Sequence, residues 1–305
     1  MNTTGIILTL FTMFAWSSQI ILTKYAATQL SANPVIFICI SMMIASFGLI
    51  SISGNSKFII KSLRNSYSWG YAISHILLNI ATMFALIYIS SSETMALQKF
   101  NVVTGLIIGL IMFDKRVVSN NDLIGCLLIL IGVLITLYTI NYNIVFQVIF
   151  IVLSMAILSS FRTNIVERNS LMKQAKTFKQ QAQILGMVLF ITSFLLILVN
   201  LIFYKVGVTN NFEISLTQNQ LIIALINGLI FIPIGMYGFF KSVKEINSEN
   251  FVVLTAFLPV VTLVLEQLAS IFKLIEKTPI NHLNIISLAF IIIGALYITF
   301  KRKRS

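Results

Sequence analysis

Inside long apolar runs of this 305-residue chain stand a few side chains able to bind, neutralise charge or carry a proton. Gln98, Lys99 and Asn101 share one run, and Glu266 and Gln267 share another. A charged group near the middle of a bilayer costs at least about 2.5–3.5 kcal/mol, so one that is present faces a cavity or a partner. Lys99 suits neutralisation of an anionic substrate group or pairing with Glu266, with snorkelling to the interface as the plainer alternative. Glu266 suits proton coupling or cation binding, and equally a static ion pair between two helices. Gln98 and Asn101, three residues apart, fall on one helical face, with Lys99 about a quarter-turn away. His75 and Asn79, four apart, also share a face, as a cavity lining requires, although a lone intramembrane histidine also serves as one structural hydrogen bond. Trp16, Ser17 and Gln19 stand at mid-depth, too central for an interfacial belt, where the indole either packs or stacks on a bound ring. Asn227 and Tyr237 offer further hydrogen bonds, to a ligand or between helices. Together these residues are the candidate substrate-binding set. Glu93, in the same run as Gln98, Lys99 and Asn101 but near its end, is either a further interior polar group or an exposed cap, and Lys24, Arg162, Glu245 and Glu249, close to helix ends, read as anchors.

Other chemistries find no residues to use. His75 and His282 are far apart, and Cys39 and Cys126 sit in apolar runs as packing residues, so no metal ligand set is expected. Nucleophile elbows, phosphate-binding glycine loops and paired catalytic carboxylates are absent, which argues against an enzyme and against a cofactor.

The elements that must position these side chains follow from composition. With 58% hydrophobic and 10% charged residues the chain lies outside the soluble class. A bilayer core about 30 Å thick needs roughly 20 apolar residues per helix, and ten segments meet that need. They cover residues 5–25, 34–52, 69–89, 94–113, 123–140, 144–165, 184–204, 220–240, 251–272 and 283–300. The first lacks a basic leader and a convincing cleavage site, so it reads as a mature helix rather than a signal peptide. No loop is long enough to hold a soluble catalytic module; the longest hydrophilic stretch, 167–183, is the divider between two halves.

The net charge of +12 would suggest nucleic acid if it formed a patch, but it follows the membrane instead. With the N-terminus inside, sixteen of the 21 basic residues, from Lys57 to the tail Lys301–Arg304, fall on the cytoplasmic side. Lys24, Lys205, Lys273 and Lys277 fall opposite. That asymmetry places both termini in the cytoplasm.

An internal echo organises the ten segments. Asp114 precedes Gly132 by the same 18 residues that separate Glu276 from Gly294, each acid closing one helix and each glycine lying within the next. Ala15-Trp-Ser-Ser-Gln echoes Ile157-Leu-Ser-Ser-Phe in the opening helix of the second half. Two units, 1–142 and 143–305, follow. Because five helices is an odd number, the second unit lies upside down relative to the first, an arrangement found in carriers that expose one site alternately to either side.

The run Phe14-Ala-Trp-Ser-Ser-Gln-Ile-Ile-Leu-Thr-Lys, the stretch from Ser90 through Thr136 and the matching stretch from Leu258-Pro-Val-Val through Ile298 resemble the drug/metabolite transporter superfamily, in its ten-helix EamA-type branch. The resemblance covers essentially the whole chain. It departs at Ser41, where the family often carries an arginine, and at Asn101, near a common proline that only Pro259 retains. It implies an all-α integral membrane fold of ten helices in two inverted repeats, and a secondary transporter moving a small polar or charged metabolite by alternating access. A lipid-linked sugar or lipid flippase and a non-transporting membrane scaffold are the rival readings. Expected partners are a small-molecule substrate, a candidate coupling proton or ion, and the lipid bilayer, with no nucleic acid; the chain would be a monomer or homodimer. The expected location is a bacterial inner membrane.

Overall fold

A computed structural model describes residues 2–54, 57–113, 119–206, 216–276 and 281–302. Asp114 of the acid-to-glycine echo, and Lys115, Arg116, Lys277, Lys303 and Arg304 of the charge count, lie outside the described residues. Among those described, every regular element is helical. They are α1 (Thr3–Thr28), α2 (Pro34–Ser53), α3 (Lys57–Leu63), α4 (Ser66–Tyr88), α5 (Ser91–Gln98), α6 (Asn101–Phe113) and α7 (Asn120–Tyr138). Next come α8 (Val145–Arg168), α9 (Ser170–Gln174), α10 (Phe178–Lys205), α11 (Gln218–Ile226), α12 (Ile232–Leu254), α13 (Leu258–Ile271) and α14 (His282–Arg302).

Among the described residues, eight helical runs are long and apolar enough to cross a membrane, and His282–Ile298 is a shorter apolar helix beside them. Large apolar side chains such as Phe11, Ile87, Ile111 and Phe150 are exposed on the outside of the bundle. In water that surface would drive aggregation; against lipid tails it costs nothing. The chain is therefore a multi-pass integral membrane protein.

Several boundaries differ from the sequence expectation, each for a local reason. The expected helix at 94–113 starts earlier, at Ser91, because Ser90 and Glu93 form a reciprocal capping box that satisfies its first amides. It then breaks: Lys99, Phe100, Val102 and Val103 donate to carbonyls three residues back, a tight turn that divides α5 from α6. The expected loop after residue 240 is helical instead. Asn247, at φ 65°, is a single left-handed residue inside α12, so the chain changes direction there without a loop. Farther on, Thr255–Phe257 forms a 3-10 turn before Pro259, which sits in the first turn of α13 where its missing amide is harmless. Val145–Arg168 runs past the expected end at 165, which draws Arg162 inside the helix rather than leaving it at an edge.

The tightest helix pairs meet on small residues, as expected where lipid offers no hydrophobic drive. α7 packs on α14, α2 on α10, α1 on α12, and α4 on α8. At the first of these, a methyl group built on Gly294 would stand 2.6 Å from the Gly125 carbonyl and 2.9 Å from Ile129. One on Gly132 would stand 2.7 Å from the Ser287 carbonyl. The closeness lets Ser287 donate to the Gly132 carbonyl at 2.8 Å and meet Thr136 Oγ1 at 2.5 Å. Gly294→Val is accordingly expected to force α7 and α14 apart and cost about 1–3 kcal/mol, the range for overpacking. A melting curve in detergent checks it, and an unchanged midpoint would mean that the two backbones do not approach there.

Candidate functional site

A cavity lies where the two broken stretches meet α1, α4 and α8. It encloses about 660 Å³ of empty space including its mouth, room for a small metabolite rather than a macromolecule. Trp16, Gln19 and Ile20 come from α1, and His75, Leu78, Asn79 and Thr82 from α4. Met95, Gln98, Lys99 and Asn101 come from the α5–α6 break, Ser159, Arg162 and Thr163 from α8, and Phe251, Val252, Thr255 and Leu258 from the second break.

Local folding explains the wall. A continuous helix would turn Lys99 about 100° away from Gln98 and leave it off the Gln98–Asn101 face. The tight turn at 99–103 brings Gln98, Lys99 and Asn101 all to the cavity. The second break does the same for Thr255 and Leu258.

Two cations dominate the site. Lys99 is 1% exposed and finds no acceptor among the described residues. Arg162, 6% exposed, places its guanidinium carbon 5.2 Å from the Trp16 ring centroid and 5.1 Å from that of Phe239. In a desolvated setting such stacking contributes about 2 kcal/mol. Arg162 Nη1 lies 2.9 Å from His75 Nδ1. Since arginine has only donors, this nitrogen of His75 must accept, which places the imidazole proton on Nε2 and leaves the ring neutral in this arrangement. Arg162 Nε is buried without a partner, and so is Asn101 Oδ1, whose amide donates to Ser159 Oγ at 3.0 Å. None of the lining residues is acidic.

Behind Arg162 the aromatic rings of Trp16, Phe239 and Phe251 pack at centroid distances of 5.0–5.9 Å, with Tyr71 and Phe240 5.0 Å apart beside them. A second, smaller cavity begins on the other side of Thr163 and Val252, which line both, and is bordered by Gly105, Ser160, Asn164, Ser248 and Glu249. Asn164 and Ser248 are hydrogen-bonded across it, and Ser248 also donates to Glu167.

Of the residues singled out from sequence, Trp16, Gln19, His75, Asn79, Gln98, Lys99 and Asn101 gather around this one cavity. The others stand elsewhere. Ser17 is buried against Thr262, 2.8 Å away, between α1 and α13. Asn227 is fully buried in a π turn between α11 and α12, and its amide has no partner. Tyr237 accepts from Lys241 at 3.1 Å and packs on Phe178. Gln267 is half-buried on α13 beyond the cavity.

Glu266 is fully buried, yet its partner is Lys24 at 3.1 Å and not Lys99. It also accepts from the Ser91 and Ser92 amides, both at 3.2 Å, and from Ser92 Oγ at 2.8 Å. A carboxylate there satisfies the first free amides of α5 and opposes its positive end. The two residues read as an anchor and a coupling group are one ion pair that fixes the start of α5. Glu93 serves the same helix end, and its other oxygen accepts from Asn284 at 3.2 Å.

Arg162, taken from sequence as an anchor, is the charged cavity residue that reading missed. The signal was present: aligning Ala15-Trp-Ser-Ser-Gln with Ile157-Leu-Ser-Ser-Phe sets Ile20 opposite Arg162, and both line the cavity. Thr82, Ser159, Thr163 and Thr255 were also missed, because a hydroxyl in an apolar helix returns its hydrogen bond to its own backbone and leaves no periodic mark. Thr163 does so to Ser159, at 2.8 Å.

No curated protein sequence matches the chain. Among solved structures, one titled only "Crystal structure of protein" superposes over 99% of this chain and 100% of its own, with a TM-score of 0.71 at 14% identity. That likeness is one of fold. A family match covers the stretch that supplies α1 through α7, and with them seven of the gathered residues. Over residues 3–138 the chain matches the model of the EamA-like transporter family.

Proposed function

We propose that the protein is a secondary transporter that carries a small polar or charged metabolite across a cell membrane, in bacteria the inner one, by alternating access. Ten crossings form two inverted units, residues 1–142 and 143–305, with both termini in the cytoplasm. The observation that carries this reading is the polar cavity at the junction of two broken helices, α5–α6 in the first unit and α12–α13 in the second. Interrupted helices at corresponding places in two repeats are where carriers of inverted design hold their cargo.

Three features support the ten-crossing count and the two units. Gln218–Ile271 is 54 residues long. At 1.5 Å per residue that is about 80 Å, far more than one bilayer, which with the turn at Asn247 supports two crossings. Counting α5–α6 as the fourth crossing and α14 as the tenth, packing joins first with eighth and third with sixth, second with seventh, fourth with ninth, and fifth with tenth. Exchanging the units maps that set onto itself. Hydrogen bonds obey the same exchange: Ser17 meets Thr262, first to ninth, and Ser159 meets Asn101, sixth to fourth.

The septum between the two cavities supports alternating access. Thr163 and Val252 alone are shared by the two cavities, and the aromatic cluster stands behind Arg162, so small relative rocking of the units opens one cavity while closing the other. With no nucleotide-binding motif in the sequence, uphill movement draws on an ion gradient or on exchange.

Uptake into reconstituted vesicles, screened across amino acids, sugars, vitamins, organic acids and cationic drugs with and without a pH gradient, tests the proposal. Saturable flux of at least one solute class is expected, and its absence across the panel would favour the scaffold reading. A reporter fused to the C-terminus is expected to report the cytoplasm.

A further inference from the structure

We infer that the cavity is a receptor for an organic anion, held through a carboxylate or phosphate group by Lys99 from the α5–α6 break and Arg162 from α8; as a statement about cargo, this rests on the transport reading above. Both side chains are more than nine-tenths buried and line the same cavity. No acid lines it among the described residues, and the intramembrane carboxylate that sequence offered, Glu266, is engaged by Lys24 and the start of α5. Two buried cations leave positive charge that a bound solute must balance, because desolvating like charges together is unfavourable unless an anion joins them.

The neutral groups point the same way. His75 accepts from Arg162 through Nδ1, so its other nitrogen is a donor. Arg162 Nε lacks any acceptor, and Lys99 brings three donors with none among the described residues. A donor-rich site of this kind matches oxygen-rich anions, and charge-assisted bonds to carboxylate or phosphate are the strong ones. Ile20, Leu78, Met95, Leu258 and the ring of Phe251 make up the rest of the wall, which suits a carbon body attached to the anionic group. Two positive side chains further favour a solute with two negative charges over one with a single charge.

The purified protein in detergent tests this by direct titration with succinate, glycerol 3-phosphate, inorganic phosphate, alanine, glucose and spermidine, read by calorimetry and thermal shift. Succinate or glycerol 3-phosphate is expected to bind and stabilise, with alanine weaker and glucose and spermidine silent. The succinate and glycerol 3-phosphate arms separate carboxylate from phosphate recognition, and inorganic phosphate shows whether the carbon body matters. Lys99→Gln is expected to weaken the bound anion about 10- to 100-fold, the loss of one charge-assisted bond, while Lys99→Arg restores most of it. Silence of every anion up to about ten times a millimolar Kd overturns the inference, as does glucose or spermidine binding in their place. Anion binding unaffected by Lys99→Gln and by Arg162→Gln also overturns it. If anions bind but no solute crosses vesicles, the transport reading fails and the anion site stands; if only neutral or cationic solutes are carried, transport stands and the anion site fails.

Discussion

Arg162→Met lowers flux per molecule by about 100-fold or more while leaving the protein as stable as before, or more so. The flux loss follows from removing a cation that faces the cavity and a charge-assisted hydrogen-bond donor, where each such bond contributes about 1.5–3 kcal/mol. Rotation of the neighbouring rings adds to it, since the guanidinium lies over both Trp16 and Phe239. Stability moves the other way because a buried charge without a carboxylate partner is a standing desolvation cost that a methionine of similar length does not carry. An anchor at the membrane edge predicts the opposite pattern: poorer insertion, with normal flux from whatever protein is inserted. Initial uptake rates normalised to folded protein, together with a detergent melting curve, separate the two. Unchanged normalised flux would remove Arg162 from the site, and a large drop in melting midpoint would make it a structural residue.

Lys24→Met is expected to cost about 3–5 kcal/mol, because it leaves a fully buried carboxylate without its counter-charge. Glu266 is 0% exposed, whereas Lys24 at 17% can reach the interface, so the two halves of the pair are not equivalent. Glu266→Gln should therefore cost less than Lys24→Met, since glutamine keeps one oxygen for the Ser91 and Ser92 donors. Joining the two substitutions should recover much of the Lys24→Met loss, and a double-mutant cycle measures that recovery. The same variants examine coupling. A static pair leaves residual flux with its pH-gradient dependence intact in Glu266→Gln, and loss of that dependence at undiminished stability would make Glu266 a proton carrier after all.

How much of this was legible before folding varies by feature. The membrane class, the helical fold and most positions of the long apolar helices were read from apolar run length, because lipid leaves the backbone no partner but itself. The seven residues that gather were found by one rule, that polar groups amid apolar ones need a reason. The rule could not say which of them share a cavity. Ser17 and Gln19 stand two apart on α1, yet one closes against Thr262 and the other lines the cleft. Nor could it rank lysines: Lys24 and Lys99 look alike in sequence, and only the fold gives one of them a carboxylate.

By itself, then, the sequence determined that this chain lives in a bilayer, that its basic residues are lopsided, and that a few polar groups are buried where they are expensive. Tertiary structure decided which charges meet among the described residues: Lys24 with Glu266, Arg162 with His75, and Lys99 with nothing but the cavity. The reason is that run length and composition depend on each helix alone with its solvent, whereas charge pairing depends on breaks such as the one after Gln98 and on packing between distant segments.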